Sequence, residues 1–98
     1  MVKRKIEWSK ESKDSLEEIL EFYNERNGNK IYSKKLVKKL KHTTSLIANN
    51  NFIGKLTDEL NVRVIFKNDY AVFYEVTEKV VEILLIWDTR RNPENFQL

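Results

Sequence analysis

The sequence contains no cysteine, one histidine, one proline and only two glycines among its 98 residues. Without cysteine the chain forms no disulfide and offers no thiolate to a metal, and one histidine is too few for a typical zinc site. The two glycines lie too far apart to build a glycine-rich phosphate loop. We therefore expect neither a metal nor a cofactor, and the lack of cysteine favours a reducing cytoplasm.

Long hydrophobic runs are also missing. No window approaches the 18 apolar residues of a membrane helix, and the basic start of the chain is not followed by the apolar run that a signal peptide needs. Secretion and membrane contact are not expected. A hydrophobic content of 41% with 34% charged residues is typical of a globular chain, and residues 1–98 are predicted to form a single domain.

The net charge of +3 is unevenly distributed. Residues 1–50 hold 12 Lys and Arg against 7 Asp and Glu, whereas residues 51–98 hold 6 against 8. The excess is densest at 30–41, where the acid-free run contains Lys30, Lys34, Lys35, Lys38, Lys39 and Lys41. This run is either balanced by Glu17, Glu18, Glu21 and Glu25 across a helical hairpin, or it meets nucleic acid or an acidic partner.

The first half of the chain predicts a strand followed by two helices. Residues 2–8 alternate, with Ile6 and Trp8 on one face, and Ser9 can cap a helix that runs to about Arg26. The second helix runs from about Lys30 to Ala48. Because only about three residues connect the two helices, they should form an antiparallel hairpin.

The second half predicts three strands at 62–66, 70–76 and 79–88, joined by short turns that require an antiparallel meander. Between the helices and these strands, Phe52 and Ile53 are expected to tuck under the hairpin. The order β-α-α-β-β-β then describes a two-layer α+β fold, in which the helical hairpin covers a mainly antiparallel four-stranded sheet. The last strand is apolar enough for a central position.

Segments spread over nearly the whole chain carry a family resemblance. They are IEWS at 6–9, the helical hairpin, FIGK at 52–55, VRV at 62–64, YAVFY at 70–74 and ILLIWDTRRNP at 83–93. In this order they resemble the RelE/ParE superfamily of bacterial toxins. The resemblance implies a type II toxin, a cytoplasmic growth inhibitor that forms a hetero-oligomer with a partly disordered antitoxin.

The superfamily divides into two branches with different activities, and the resemblance implies that this chain has one or the other. One branch cleaves messenger RNA on the ribosome. The other, the ParE branch, poisons DNA gyrase and needs no catalytic site of its own. RNA cleavage by the 2′-hydroxyl requires a base, an acid for the leaving oxygen and cations around the phosphorane.

At the positions that the resemblance identifies, this chain has the cations for RNA cleavage but lacks the groups for proton transfer. The candidate catalytic cations are Arg63, Arg90, Arg91 and Lys55. Where ribonuclease members commonly have tyrosine followed by arginine, this chain has Tyr70-Ala71, and the position nearest to their C-terminal tyrosine is Phe96. His42 is of a suitable type, but it lies in the lysine-rich helix, far in sequence from the arginines.

These departures favour a ParE-like toxin that acts by binding gyrase. The last strand must stop before Pro93, which leaves two arginines at the rigid edge of the fold, ready to present planar cations. The candidate contacts for the target or the antitoxin are Arg63, Tyr70, Tyr74, Trp87, Arg90, Arg91 and Phe96. Two alternatives stay open: a ribosome-dependent endoribonuclease, and a non-toxic relative that only forms a regulatory complex with its antitoxin.

Overall fold

Two helices pack on one face of a five-stranded sheet in the computed structural model, which describes residues 4–90. The elements follow the chain as β1 (Lys5–Trp8), α1 (Lys10–Asn27), α2 (Ile31–Asn49), β2 (Lys55–Leu56), β3 (Val62–Lys67), β4 (Tyr70–Val76) and β5 (Val80–Asp88). The predicted α+β class and its helical hairpin are confirmed. No helix among the described residues is both long and apolar enough to cross a membrane.

Both ends of α1 are fixed by local chemistry. The Ser9 hydroxyl accepts a hydrogen bond of 3.0 Å from the backbone N–H of Ser12, as an N-cap does. Gly28 ends the helix in the left-handed conformation, with φ of 68°, and its N–H bonds to the carbonyl of Asn24. The chain can therefore turn back within three residues, and α2 lies against α1.

The strands lie side by side in the order β1-β5-β4-β3-β2. The β1 strand runs parallel to β5, and the other neighbours are antiparallel. A central β5 and a mainly antiparallel sheet are thus confirmed. The predicted count of four strands was one too low, because β2 has only two residues and gives no recognisable alternation.

An irregularity in β5 ties the helices to the sheet. The pairing of β4 with β5 shifts between Phe73 and Tyr74, which leaves Leu84 without a partner in the register. The backbone near this bulge bonds to α1 and its N-cap instead: the Ser9 hydroxyl donates to the Leu84 carbonyl, and the Ile86 N–H donates to the Ser15 hydroxyl. Helix and sheet are joined by polar contacts as well as by packing.

The main core lies between the helices and the sheet. Its buried members are Ile19, Tyr23, Leu36, Leu40, Ile47, Tyr70, Val72, Tyr74, Val81, Ile83 and Ile86. The prediction that Phe52 and Ile53 tuck under the hairpin was wrong, because 54% and 42% of their surfaces are exposed. The Phe52 ring lies instead beside the guanidinium groups of Arg4 and Arg63, 5.7 and 5.1 Å from its centroid.

Candidate functional site

Arg90, just beyond β5, lies at the centre of a cluster of hydroxyl groups. Its Nη2 atom lies 2.9 Å from the hydroxyl of Tyr23, 2.6 Å from that of Tyr32 and 2.8 Å from that of Tyr70. Nη2 carries two hydrogens, so the three oxygens share them. The guanidinium is also 5.2 to 5.8 Å from the three ring centroids, close enough for cation–π attraction. We call these four residues, with Asp88, the arginine–tyrosine cluster.

Asp88 accepts hydrogen bonds from two members of the cluster. The Tyr23 hydroxyl donates to its Oδ2 atom over 2.7 Å, and the Arg90 backbone N–H donates to its Oδ1 atom over 3.0 Å. Arg90 Nε lies 3.5 Å from both the Asp88 and the Asp69 carboxylates. Asp88 is 6% exposed. A buried carboxylate needs such donors and a nearby cation, so these contacts fix the Arg90 side chain in place.

The environment keeps Tyr23 and Tyr70 neutral and Arg90 charged. Burial, followed by the hydrogen bond with Tyr32, raises the pKa of Tyr70 far above the usual value for tyrosine. Burial and the bond to Asp88 likewise raise the pKa of Tyr23. Burial by itself lowers the pKa of Arg90, but contacts with the hydroxyls of Tyr32 and Tyr70 outweigh it, and the pKa is raised. Arg90 is therefore a fixed cation, and Tyr23 and Tyr70 are poor donors or acceptors of protons.

Part of the Arg90 guanidinium faces outward. Its side chain is 41% exposed, and among residues 4–90 no partner bonds to Nη1. The guanidinium borders a cavity of about 620 Å³ lined by Tyr32, Lys35, Leu36, Lys39, Asn68, Asp69, Tyr70 and Arg90. Three cations against one carboxylate make this cavity suitable for an anionic group.

Arg63 on β3 belongs to a separate cluster. Its Nη1 atom donates to the carbonyls of Phe52 and Gly54, over 3.2 and 2.8 Å. Tyr74, opposite Arg63 on β4, is fully buried, and its hydroxyl accepts a bond of 2.8 Å from the Gly54 N–H. Burial raises the Tyr74 pKa, although the Gly54 bond and the Arg63 charge oppose the rise. These contacts hold the loop before β2 against the sheet.

The sheet keeps the two arginines apart. Arg63 lies opposite Tyr74, whereas Arg90 contacts Tyr70, four residues earlier on the same strand. Four residues of strand span about 13 Å. Each guanidinium also bonds within its own cluster, Arg63 to backbone carbonyls and Arg90 to tyrosine hydroxyls. In this conformation the two cations do not converge on one point.

The other predicted site residues are scattered. Trp87 is half-buried on the sheet face opposite the helices, beside a cluster of Val64, Ala71 and Phe73. Lys55 lies exposed on β2. Arg91 and Phe96 lie outside the described residues. His42 is exposed on α2, and no hydrogen bond within residues 4–90 joins it to Arg63 or Arg90.

Three members of the arginine–tyrosine cluster, Tyr23, Tyr32 and Asp88, were missed as site residues. Tyr23 and Tyr32 lie in the apolar stripes of the two helices, a pattern that predicts core packing. A usable signal existed: a hairpin that turns at Gly28 brings both tyrosines to the same end of the helix pair. Among the described residues no group of three His, Asp or Glu side chains is placed to hold a metal ion.

Comparisons with known proteins identify the family. The model for the ParE toxin of the type II toxin–antitoxin system parDE matches residues 6–93. The chain belongs to the ParE toxin family. No curated protein matches this ParE-family chain significantly.

Solved structures share the fold of this ParE-family chain. One is from the chromosomal ParDE toxin–antitoxin system of P. aeruginosa, with 18% identity over 86% of this chain and 94% of the other and a TM-score of 0.74. The toxin–antitoxin complex DinJ-YafQ from E. coli contains a chain that is 15% identical over 91% of this chain and 96% of its own length, with a TM-score of 0.60. YafQ from E. coli strain BL21(DE3) is 16% identical over 89% of this chain and 94% of the YafQ chain, with a TM-score of 0.57.

Proposed function

We propose that this ParE-family toxin arrests growth by binding DNA gyrase, that it does not cleave RNA, and that a cognate antitoxin neutralises it. Family membership supports a type II toxin. The relatives from P. aeruginosa and E. coli come from a ParDE system and a DinJ-YafQ complex, which favours an antitoxin partner for this chain as well. The choice of gyrase follows from the resemblance to the ParE branch.

The observation that carries a binding mechanism is the separation of the two arginines. A ribonuclease needs cations that converge on one phosphate and a group that transfers protons near neutral pH. Here Arg63 and Arg90 lie in different clusters, each already bonded to protein oxygens. The tyrosine nearest to Arg90 along the sheet, Tyr70, has a raised pKa, which makes it a poor acid or base. A fixed, partly exposed cation suits recognition better than catalysis.

The direct test uses purified components. Relaxed plasmid, ATP and gyrase are mixed with increasing amounts of the toxin, and negative supercoiling is measured. We expect supercoiling to fall in proportion to the toxin and to recover when the antitoxin is added. Unimpaired supercoiling at a large molar excess of a toxin that still arrests growth would contradict gyrase as the target. Unimpaired supercoiling without growth arrest would favour the non-toxic relative.

A pair of variants connects the inhibition to the arginine–tyrosine cluster. Arg90→Gln removes the partly exposed cation, and we expect at least tenfold weaker inhibition of gyrase. Arg26→Gln, in the exposed last turn of α1, removes the same charge and should inhibit like the wild type. Circular dichroism confirms that both variants are folded. Equal inhibition by the two variants would show that the arginine–tyrosine cluster does not contribute to target binding.

A further inference from the structure

The lysines of α2 remain unbalanced in the folded chain. Within residues 4–90 no ion pair joins them to the glutamates of α1, and the ion pairs present involve Lys10 and Arg90. The exposed lysines on and just before α2 are Lys30, Lys34, Lys35, Lys38, Lys39 and Lys41. Of the two interpretations open from the sequence, the internally neutralised hairpin is therefore the weaker.

The reason for the imbalance is visible in the groove beside α2. This groove, of about 620 Å³, is lined by Leu20, Asn24, Lys30, Ser33, Lys34, Lys35, Val37, Lys38 and Lys41. The α1 helix contributes a leucine and an asparagine to it, and no carboxylate belongs to the lining. The floor is mostly apolar and the rim is cationic, so an anionic ligand is not repelled by any acid in the groove.

The same surface continues to the arginine–tyrosine cluster. Lys35 borders both this groove and the cavity beside Arg90, and Lys39 borders the latter. The distance along α2 from Lys30 to Lys41, eleven residues, is about 17 Å. Duplex DNA carries one phosphate charge per about 1.7 Å of its axis, so a duplex that lies along this surface offers more phosphates than there are lysines. We call this surface the lysine face.

Local stability does not explain the lysine face. Lys30 occupies the N-cap position of α2 without a side-chain capping bond, and the first turn holds no acid. Cations at a helix N-terminus oppose the helix dipole. Lys30 and Lys34, Lys34 and Lys38, and Lys35 and Lys39 are like charges four residues apart, a spacing that disfavours the helix. Residues that break local rules without local compensation are expected at functional surfaces.

We propose that the lysine face binds the phosphate backbone of double-stranded DNA without reading its sequence. Lysines supply flexible point charges that suit phosphates, and their binding is driven by the release of counterions. The choice of duplex DNA over RNA rests on the proposed function, since gyrase holds a DNA duplex. The toxin then contacts the DNA as well as the enzyme.

The test measures DNA binding in the absence of gyrase. Fluorescence anisotropy follows the purified toxin binding to a short labelled duplex of arbitrary sequence over a series of salt concentrations. If five or six lysines each contact a phosphate, the plot of log K against log salt falls with a slope of about −5. The antitoxin is left out, so that any DNA contact belongs to this chain.

Two double variants remove the same charge from different surfaces. Lys34→Gln with Lys38→Gln should reduce the steepness of the slope by about 2 and weaken binding about tenfold or more at low salt. Lys5→Gln with Lys79→Gln should leave the slope and the affinity unchanged. Both control residues are exposed, and Lys5 lies on the sheet face opposite the helices, because Ile6 packs toward them.

Three outcomes would overturn the proposal: no duplex binding at low salt, equal losses in both double variants, or tighter binding of a single-stranded RNA of the same length. The first two leave the gyrase proposal standing if supercoiling is still inhibited. Conversely, a toxin that binds duplex DNA through the lysine face but leaves supercoiling intact would refute the gyrase target alone.

Discussion

Tyr23 and Asp88, which are 65 residues apart, share a hydrogen bond of 2.7 Å in which the phenol donates to the buried carboxylate. The bond joins the end of α1 to the end of β5. Arg90 lies on the same two side chains, with Nη2 on the Tyr23 hydroxyl and Nε 3.5 Å from Asp88. The orientation of the exposed cation therefore depends on the packing of the helical hairpin against the sheet.

Replacing Tyr23 by phenylalanine should destabilise the fold. Asp88 Oδ2 then stays buried without its donor, and an unsatisfied buried acceptor costs about 1–3 kcal/mol. Chemical denaturation of Tyr23→Phe measures the loss in the free energy of unfolding. In a double-mutant cycle with Asp88→Ala, we expect non-additivity, because each change removes the same contact. Strict additivity would contradict the coupling of these residues.

The two glycines should differ in their tolerance of a side chain. A Cβ at Gly54 would lie 2.7 Å from the Tyr74 hydroxyl and 2.9 Å from the Val64 carbonyl oxygen. Gly54→Ala should therefore cost about 1–3 kcal/mol through overpacking. Gly28 has free space, but its φ is +68°, so Gly28→Ala should cost about 1 kcal/mol through backbone strain. Denaturant unfolding measures both.

Asparagine separates these two causes. Asparagine tolerates the left-handed conformation, so Gly28→Asn should recover most of the stability lost in Gly28→Ala. Gly54→Asn should be at least as damaging as Gly54→Ala, because the obstacle there is space. Equal tolerance of asparagine at both positions would show that the loop before β2 yields to the added atoms.

Arg63 is expected to serve the loop before β2 more than any ligand. Arg63→Lys keeps the charge but loses the guanidinium that bonds to the Phe52 and Gly54 carbonyls. We expect about 1 kcal/mol lower stability, after allowing for partial exposure. Hydrogen exchange at the Gly54 amide should accelerate about fivefold, and Arg26→Lys should leave it unchanged. Unaltered exchange in Arg63→Lys would contradict this role.

The buried tyrosines predict a loss of stability at alkaline pH. The pKa values of Tyr23, Tyr70 and Tyr74 are raised above 10.0 in the folded chain. The unfolded chain releases these protons first, so their contribution is complete below pH 10 and is lost as pH rises above it. Each tyrosine contributes a slope of up to about 1.4 kcal/mol per pH unit.

Absorbance at the tyrosinate band, followed together with near-ultraviolet circular dichroism, checks this prediction. We expect the three buried tyrosines to ionise only as the tertiary signal disappears. Full ionisation of all tyrosines with an intact tertiary signal would contradict their burial. The Tyr74→Phe variant should have a shallower alkaline loss of stability than the wild type.

Local sequence signals predicted most of the fold. Ser9 and Gly28 mark the ends of α1, and the alternation of Ile6 and Trp8 identifies the buried face of β1. The two-residue β2 could not be predicted, because it is defined only by its pairing with Val64 and Arg63. The exposure of Phe52 depends likewise on partners distant in the chain.

The candidate site was predicted less completely, for a related reason. Arg90 and Tyr70 were named from the resemblance, but their neighbours Tyr23 and Asp88 become partners only across 65 residues. A tyrosine in a helical stripe packs in the core whether or not its hydroxyl belongs to a site, and periodicity does not indicate where the hydroxyl points. The lysine run at 30–41 is evident in the sequence. Whether acids of α1 lie beside it could not be predicted, because that depends on which α1 residues line the groove.

The most direct test of a toxin that binds without cleaving RNA is to map RNA 5′ ends across the transcriptome shortly after the toxin is induced in cells without antitoxin. We predict growth arrest with no new 5′ ends inside translated codons. New ends within codons that disappear in Arg63→Ala or Arg91→Ala would contradict the account and assign the chain to the ribosome-dependent ribonucleases.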